Sequence, residues 1–250
     1  MKLLRPTKWI ALFLGLLMPV GTIATFLVAP APKFQEPDLA RMVFWHLPVA
    51  LVSSVFFLLA PYFAFRQLKT SDMKWDIRAV ACMEIGSVLG VLTLLTGMLF
   101  AQVQWRTWWN WDPRQSSYLM VMLIAAAYFA LRSAFSDAEK RAANSGGYLL
   151  AAVLPFFFLI FVYPKLPQVI SLHPNVIKDG AFDPQYKSVF YFMFLLISLA
   201  CAWLYQLRVR VGIAQWESEL QNAELDDRHR ATTPRVVRPV SLPDQGGTPS

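Results

Sequence analysis

One short stretch carries most of the chain's capacity for chemistry. Trp105-Arg106-Thr107-Trp108-Trp109-Asn110-Trp111-Asp112-Pro113-Arg114 packs four of the chain's nine tryptophans into seven positions. On a helix, Trp105, Trp108 and Trp109 share one face and Trp111 lies at its margin. Tryptophans gather at membrane interfaces in any case, but such a belt is spread over several helix ends. Concentrated on one re-entrant or surface-lying segment, they equally form an aromatic platform for a large, flat, apolar ligand. Asp112 precedes Pro113 and stands three residues before Gln115, which reads as an N-cap, a proline at the first helical position and a capping-box partner.

The chain has three histidines. His46 falls in the first turn of an apolar span, His173 in a loop, and His229 in a polar tail where it is solvated. A lone histidine at a membrane interface is commonly a hydrogen-bonded surface group. His46 and His173 become a candidate site because the topology below puts both on the face that carries the tryptophan segment. Glu84 lies within an apolar span, where a carboxylate is by default a functional suspect. It sits on the wrong side for the histidines, and local pairing or protonation accounts for it equally well. Cys82 and Cys201 sit in apolar segments and form neither CxxC nor CxxCH. Thiol–disulfide chemistry and covalent haem attachment are thereby excluded.

These residues must be positioned by membrane helices. Hydrophobic residues make up 56% of the chain, charged residues 16%, and mean hydropathy is +0.42, whereas soluble domains carry about 25% charged residues. Six stretches approach the roughly 20 apolar residues that span a bilayer: Trp9 to Ala29, Val43 to Phe65, Ile77 to Ala101, Pro113 to Leu131, Gly147 to Tyr163 and Ser188 to Leu207. Each must be a helix, because lipid cannot satisfy exposed backbone groups. The expected fold is an all-α polytopic membrane protein, with residues 1–8 preceding the bundle, 9–207 forming it and 208–250 trailing it. The first span follows Lys2, Arg5 and Lys8 like a signal peptide but shows no convincing cleavage site, so it reads as an uncleaved helix, kinked at Pro19. Helix could run on from Gly212 to Leu225; from Asp226 the composition reads as disordered.

Sixteen of the 23 Lys and Arg residues fall on the side of the two termini and seven on the other. The richer side is cytoplasmic. Three loops then face outward, Pro30 to Met42, Gln102 to Asp112 and Pro164 to Lys187. The net charge of +7 reports this orientation rather than nucleic-acid binding.

The segment Trp105 to Arg114 resembles the WWD motif, W-G-x-x-W-x-W-D, of the haem-handling proteins of cytochrome c maturation, the CcmC/CcmF/CcsA superfamily. Six spans in 250 residues, Arg41-Met42-Val43-Phe44-Trp45-His46-Leu47-Pro48 at the start of the second span, and Ser171-Leu172-His173-Pro174 in the third outer loop are similar to the CcmC family. The resemblance covers about Pro30 to Leu207. Arg106 stands where the family has Gly. The Asp-Pro-Arg sequence is also similar to the larger CcsA-type cytochrome c synthetases, but those hold a second histidine pair within the membrane, for which this chain has no histidines left.

The resemblance implies a non-enzymatic haem-delivery protein of the bacterial inner membrane, with haem b as transient cargo. His46 and His173 would be its axial ligands, Trp105, Trp108, Trp109, Trp111 and Asp112 its platform, and Arg41 and Arg114 candidate propionate contacts. It also implies a periplasmic CcmE-like chaperone and CcmA- and CcmB-like ABC transporter subunits as partners. Competing readings are a resident b-type redox subunit, which would want histidines at mid-membrane depth, and a permease, which would want a ring of charges.

Overall fold

The computed structural model describes residues 8–173 and 183–232. The chain is all-α, and the described residues contain no strand. Six helices are long and apolar enough to cross a membrane: α1 (Lys8–Leu27), α2 (Val43–Thr70), α3 (Met73–Trp105), α4 (Pro113–Ser133), α5 (Ala138–Phe157) and α6 (Pro184–Thr232). A short 3-10 turn, Leu39–Met42, leads into α2, and α5 continues through a π turn, Phe158–Val162, and a 3-10 turn, Tyr163–Lys165. The chain divides into two compact units at Gly212. Within the second, the described residues are the C-terminal part of α6.

The helices outrun the apolar stretches because their ends are set by polar caps. Asp72 accepts a hydrogen bond from Lys74 N at 2.9 Å and starts α3; Asp137 accepts one from Lys140 N at 2.8 Å and starts α5 nine residues before Gly147. The first-turn acids Asp76 and Glu139 favour the same ends. α6 runs past Leu225 to Thr232, through residues read from composition as disordered. Its Glu, Asp, Arg and Ala residues tolerate helix and no proline intervenes before Pro234. The tail beyond Thr232 lies outside the described residues.

Close approach of α2 and α3 depends on small residues, as is usual where lipid replaces water. A Cβ on Gly86 would stand 3.2 Å from Phe56 Cβ, and one on Gly97 would stand 3.1 Å from Cε1 of His46. Ser53 Oγ on α2 donates to the Gly86 carbonyl of α3 at 2.7 Å. Two ion pairs tie α3 to other helices. Asp76 receives both guanidinium nitrogens of Arg132 on α4, at 2.9 and 2.6 Å, and both partners are largely buried. Glu84 is gripped in the same two-pronged way by Arg208 on α6, at 2.6 and 2.8 Å. The membrane carboxylate is therefore an interhelical tie.

Candidate functional site

The tryptophan segment is not a helix. α3 ends at Trp105 because Arg106 adopts the left-handed conformation, φ 57°, with its N–H on the Gln102 carbonyl. Trp111 is left-handed too, φ 56°. Between them the chain is irregular, pinned by Thr107 Oγ1 on the Trp109 carbonyl and by Asp112 N on Asn110 Oδ1 at 3.1 Å. The tryptophans accordingly share no helical face. Trp105 turns inward, its ring edge-on to Phe100 and 5.0 Å from the ring of His173. Trp109 packs edge-on against Trp111, while Trp108 and Trp111 are exposed. Only glycine takes the left-handed conformation without steric cost, and this chain has Arg106 there. Arg106 accepts that cost and forms an ion pair with Glu36. Gln104 and Glu36 also exchange two hydrogen bonds, each 3.1 Å, through the Glu36 backbone. The loop before α2 is thereby sewn to the end of α3.

Asp112 caps α4, accepting from Arg114 N at 2.9 Å. Gln115 does not close a capping box on it; its Oε1 faces Asn110 N instead. The Asp112 side chain is buried and its second oxygen receives Leu172 N at 2.7 Å and Ser171 Oγ at 2.9 Å. His173 Nδ1 stands 2.9 Å from the first oxygen. Burial pushes the Asp112 carboxyl up, but contact with His173 and the two backbone N–H groups outweigh it and hold the group well below the usual carboxylate range. One carboxylate thus starts a helix and anchors the loop that carries a distant histidine.

His46 is on the first turn of α2, its ring laid against Gly97 and near-parallel to Phe100. Its Nδ1 is 2.9 Å from Thr96 Oγ1. His46 and His173 line one cavity of about 310 Å³, walled by apolar residues of α2, α3, α4 and the π turn of α5. The π turn supplies Leu159, Ile160 and Phe161 to that wall, in keeping with the tendency of such turns to occur at functional sites. Arg114 and Lys165 line the same cavity. Lys165 escaped sequence reasoning, which used it only as a loop charge. Arg41 is not among the lining residues: its guanidinium meets the Val28 carbonyl at 3.2 Å and Asp38 at 3.6 Å. His229 bonds its own helix at the Leu225 carbonyl, in the second unit. Cys82 and Cys201 are free and buried.

Two imidazoles, two cations and an apolar wall on one cavity suit a flat apolar molecule that carries a metal and acidic groups. A family model described as heme exporter protein C matches residues 2–224. Proteins named heme exporter protein C are similar over much of the chain. That of Escherichia coli strain K12 is 29% identical over 221 residues, 85% of this chain and 88% of its own. That of Rhodobacter capsulatus is 27% identical over 211 residues, 78% and 83%. That of Bradyrhizobium diazoefficiens is 30% identical over 145 residues, 58% and 54%.

Proposed function

Since the chain belongs to the heme exporter protein C family, we propose that it holds haem b as cargo and delivers it for cytochrome c maturation. Haem iron is bound by His46 and His173, and the propionates by Arg114 and Lys165. Trp105 braces His173, and the exposed Trp108 and Trp111 offer a surface on which the porphyrin arrives and leaves. The site faces the periplasm of a bacterial inner membrane, where a CcmE-like chaperone takes the haem and CcmA- and CcmB-like subunits assemble with the chain. The observation that carries this reading is the convergence of both histidines, from opposite ends of the bundle sequence, on one apolar cavity lined by two cations.

The test is purification followed by an optical spectrum and by transfer to added apo-chaperone. His46→Ala and His173→Ala should each abolish the bis-histidine spectrum and the transfer, and His229→Ala should change neither. An unchanged spectrum in the His46→Ala, His173→Ala double variant would remove the ligand assignment. Haem that stays in the protein while cycling between oxidation states with quinol would mean a resident cytochrome.

A further inference from the structure

The two histidines are held by different chemistry, and the polar group beside each Nδ1 decides which nitrogen it can offer. A threonine hydroxyl has a single proton to give. Thr96 gives its proton to the helix, with Oγ1 2.6 Å from the Leu92 carbonyl. Toward His46 Nδ1, at 2.9 Å, Thr96 can therefore only accept. The proton of neutral His46 sits on Nδ1, and Nε2 is its bare nitrogen. Gly97 and Phe100 hold the ring in that pose, the first by leaving room beneath it and the second by lying parallel to it.

His173 reaches the same protonation pattern by another route. The Asp112 oxygens accept from Arg114 N, Leu172 N and Ser171 Oγ. Backbone N–H groups can only donate, so each oxygen is already an acceptor. His173 Nδ1, 2.9 Å from Oδ1, must then carry a proton, and Nε2 is again the nitrogen left for a metal. Ser171 completes the brace, because its Oγ also receives His173 N at 3.2 Å. The loop ligand is thus no looser at its root than the helix ligand.

We propose that Thr96 and Asp112 are the positioning residues of the site: both set their histidine with Nδ1 protonated and Nε2 bare toward the cavity, and the carboxylate partner makes His173 the stronger donor of the two. The metal half of this rests on haem being the cargo; the tautomer half does not. A carboxylate behind a ligating imidazole raises its basicity, whereas a hydroxyl does so weakly. Greater basicity stabilises ferric over ferrous iron and lowers the midpoint potential. The aspartate of the tryptophan motif acquires a function distinct from touching porphyrin, which is to tune and aim the distant histidine.

The experiment has a cargo-free arm and a loaded arm. In the first, the full chain carrying His229→Gln is labelled with nitrogen-15 in its histidine rings and its nitrogen resonances are recorded in bilayers. Both remaining histidines should show a protonated Nδ1, and neutral His46 a bare Nε2. Thr96→Val should mix the His46 tautomers and Thr96→Ser should restore the wild-type pattern. A bare Nδ1 on either histidine overturns the proposal, whatever the cargo. In the second arm haem is loaded and titrated for affinity and midpoint potential. Asp112→Asn should weaken haem affinity about 10-fold, the low end for loss of a partner behind a metal ligand. It should also raise the potential, and by more than Thr96→Val does. An unchanged potential in haem-loaded Asp112→Asn overturns the stronger-donor assignment. Failure of the chain to take up haem, with both Nδ1 protons present, would count against haem as the cargo and for the positioning roles.

Discussion

Single side chains of the site can be separated by what their removal spares. A methyl at Gly97 would press on His46 Cε1 from 3.1 Å, while Ala in place of Gly stabilises a helix interior by about 1 kcal/mol. Gly97→Ala should therefore leave thermal stability equal or raised and still lower haem loading, measured by pyridine haemochrome per protein. Charge-assisted hydrogen bonds contribute about 1.5–3 kcal/mol. Arg114→Gln or Lys165→Gln should each weaken haem binding roughly 10- to 100-fold, with little effect on a haem dimethyl ester that lacks free carboxylates. Arg41→Gln should leave haem affinity unchanged, because Arg41 does not line the cavity and its guanidinium meets Val28 and Asp38 instead. A loss equal to that of Arg114→Gln would return Arg41 to the cavity. That His46, His173 and Arg114 would gather on one cavity was legible in the sequence, because the topology put both histidines on the face of the motif that Arg114 follows. Lys165 was not, since nothing local distinguishes a lysine that ends a span from one that only orients it.

Helix ends and helix ties were harder to read than helix middles. The six spans were evident because roughly 20 apolar residues have one folding solution in lipid. Their extensions past the bilayer depend on Asp72 and Asp137, caps that carry no apolar signal. The helical platform failed as an expectation because a non-glycine left-handed residue, Arg106, stops α3 at Trp105, and periodicity cannot register such a stop. Arg106→Gly should be close to neutral for stability, relieving strain of about 1–2 kcal/mol while losing an exposed ion pair that contributes less than about 1 kcal/mol. Arg106→Val should be clearly destabilising, as thermal unfolding in detergent would show. Asp76→Asn leaves Arg132 without its buried partner and should lower stability by about 3 kcal/mol. Pairs such as Asp76–Arg132 and Glu84–Arg208 join residues far apart in the chain, and no local pattern announces them.

For the whole molecule, the orientation expected from sixteen basic residues against seven is open to direct measurement. Cysteines introduced as Asn110→Cys and Ser136→Cys lie in loops at opposite ends of α4, and an impermeant thiol reagent should label them from opposite sides of the membrane. Native Cys82 and Cys201 are buried and should contribute little background. Labelling of both new cysteines from one side would invert or break the topology. The carboxylate that fixes His173 stands at the start of α4, and His173 itself comes only after α5. Translation therefore delivers the two halves of the site at different times. A nascent chain has its first histidine and its tryptophan segment in place while the second histidine is still unmade, so, under the proposed two-histidine ligation, an unfinished copy cannot clasp haem from both sides. Ribosomes halted just after Lys165 should yield chains that retain haem no better than His173→Ala, and the ability to load becomes a certificate that five helices have already inserted.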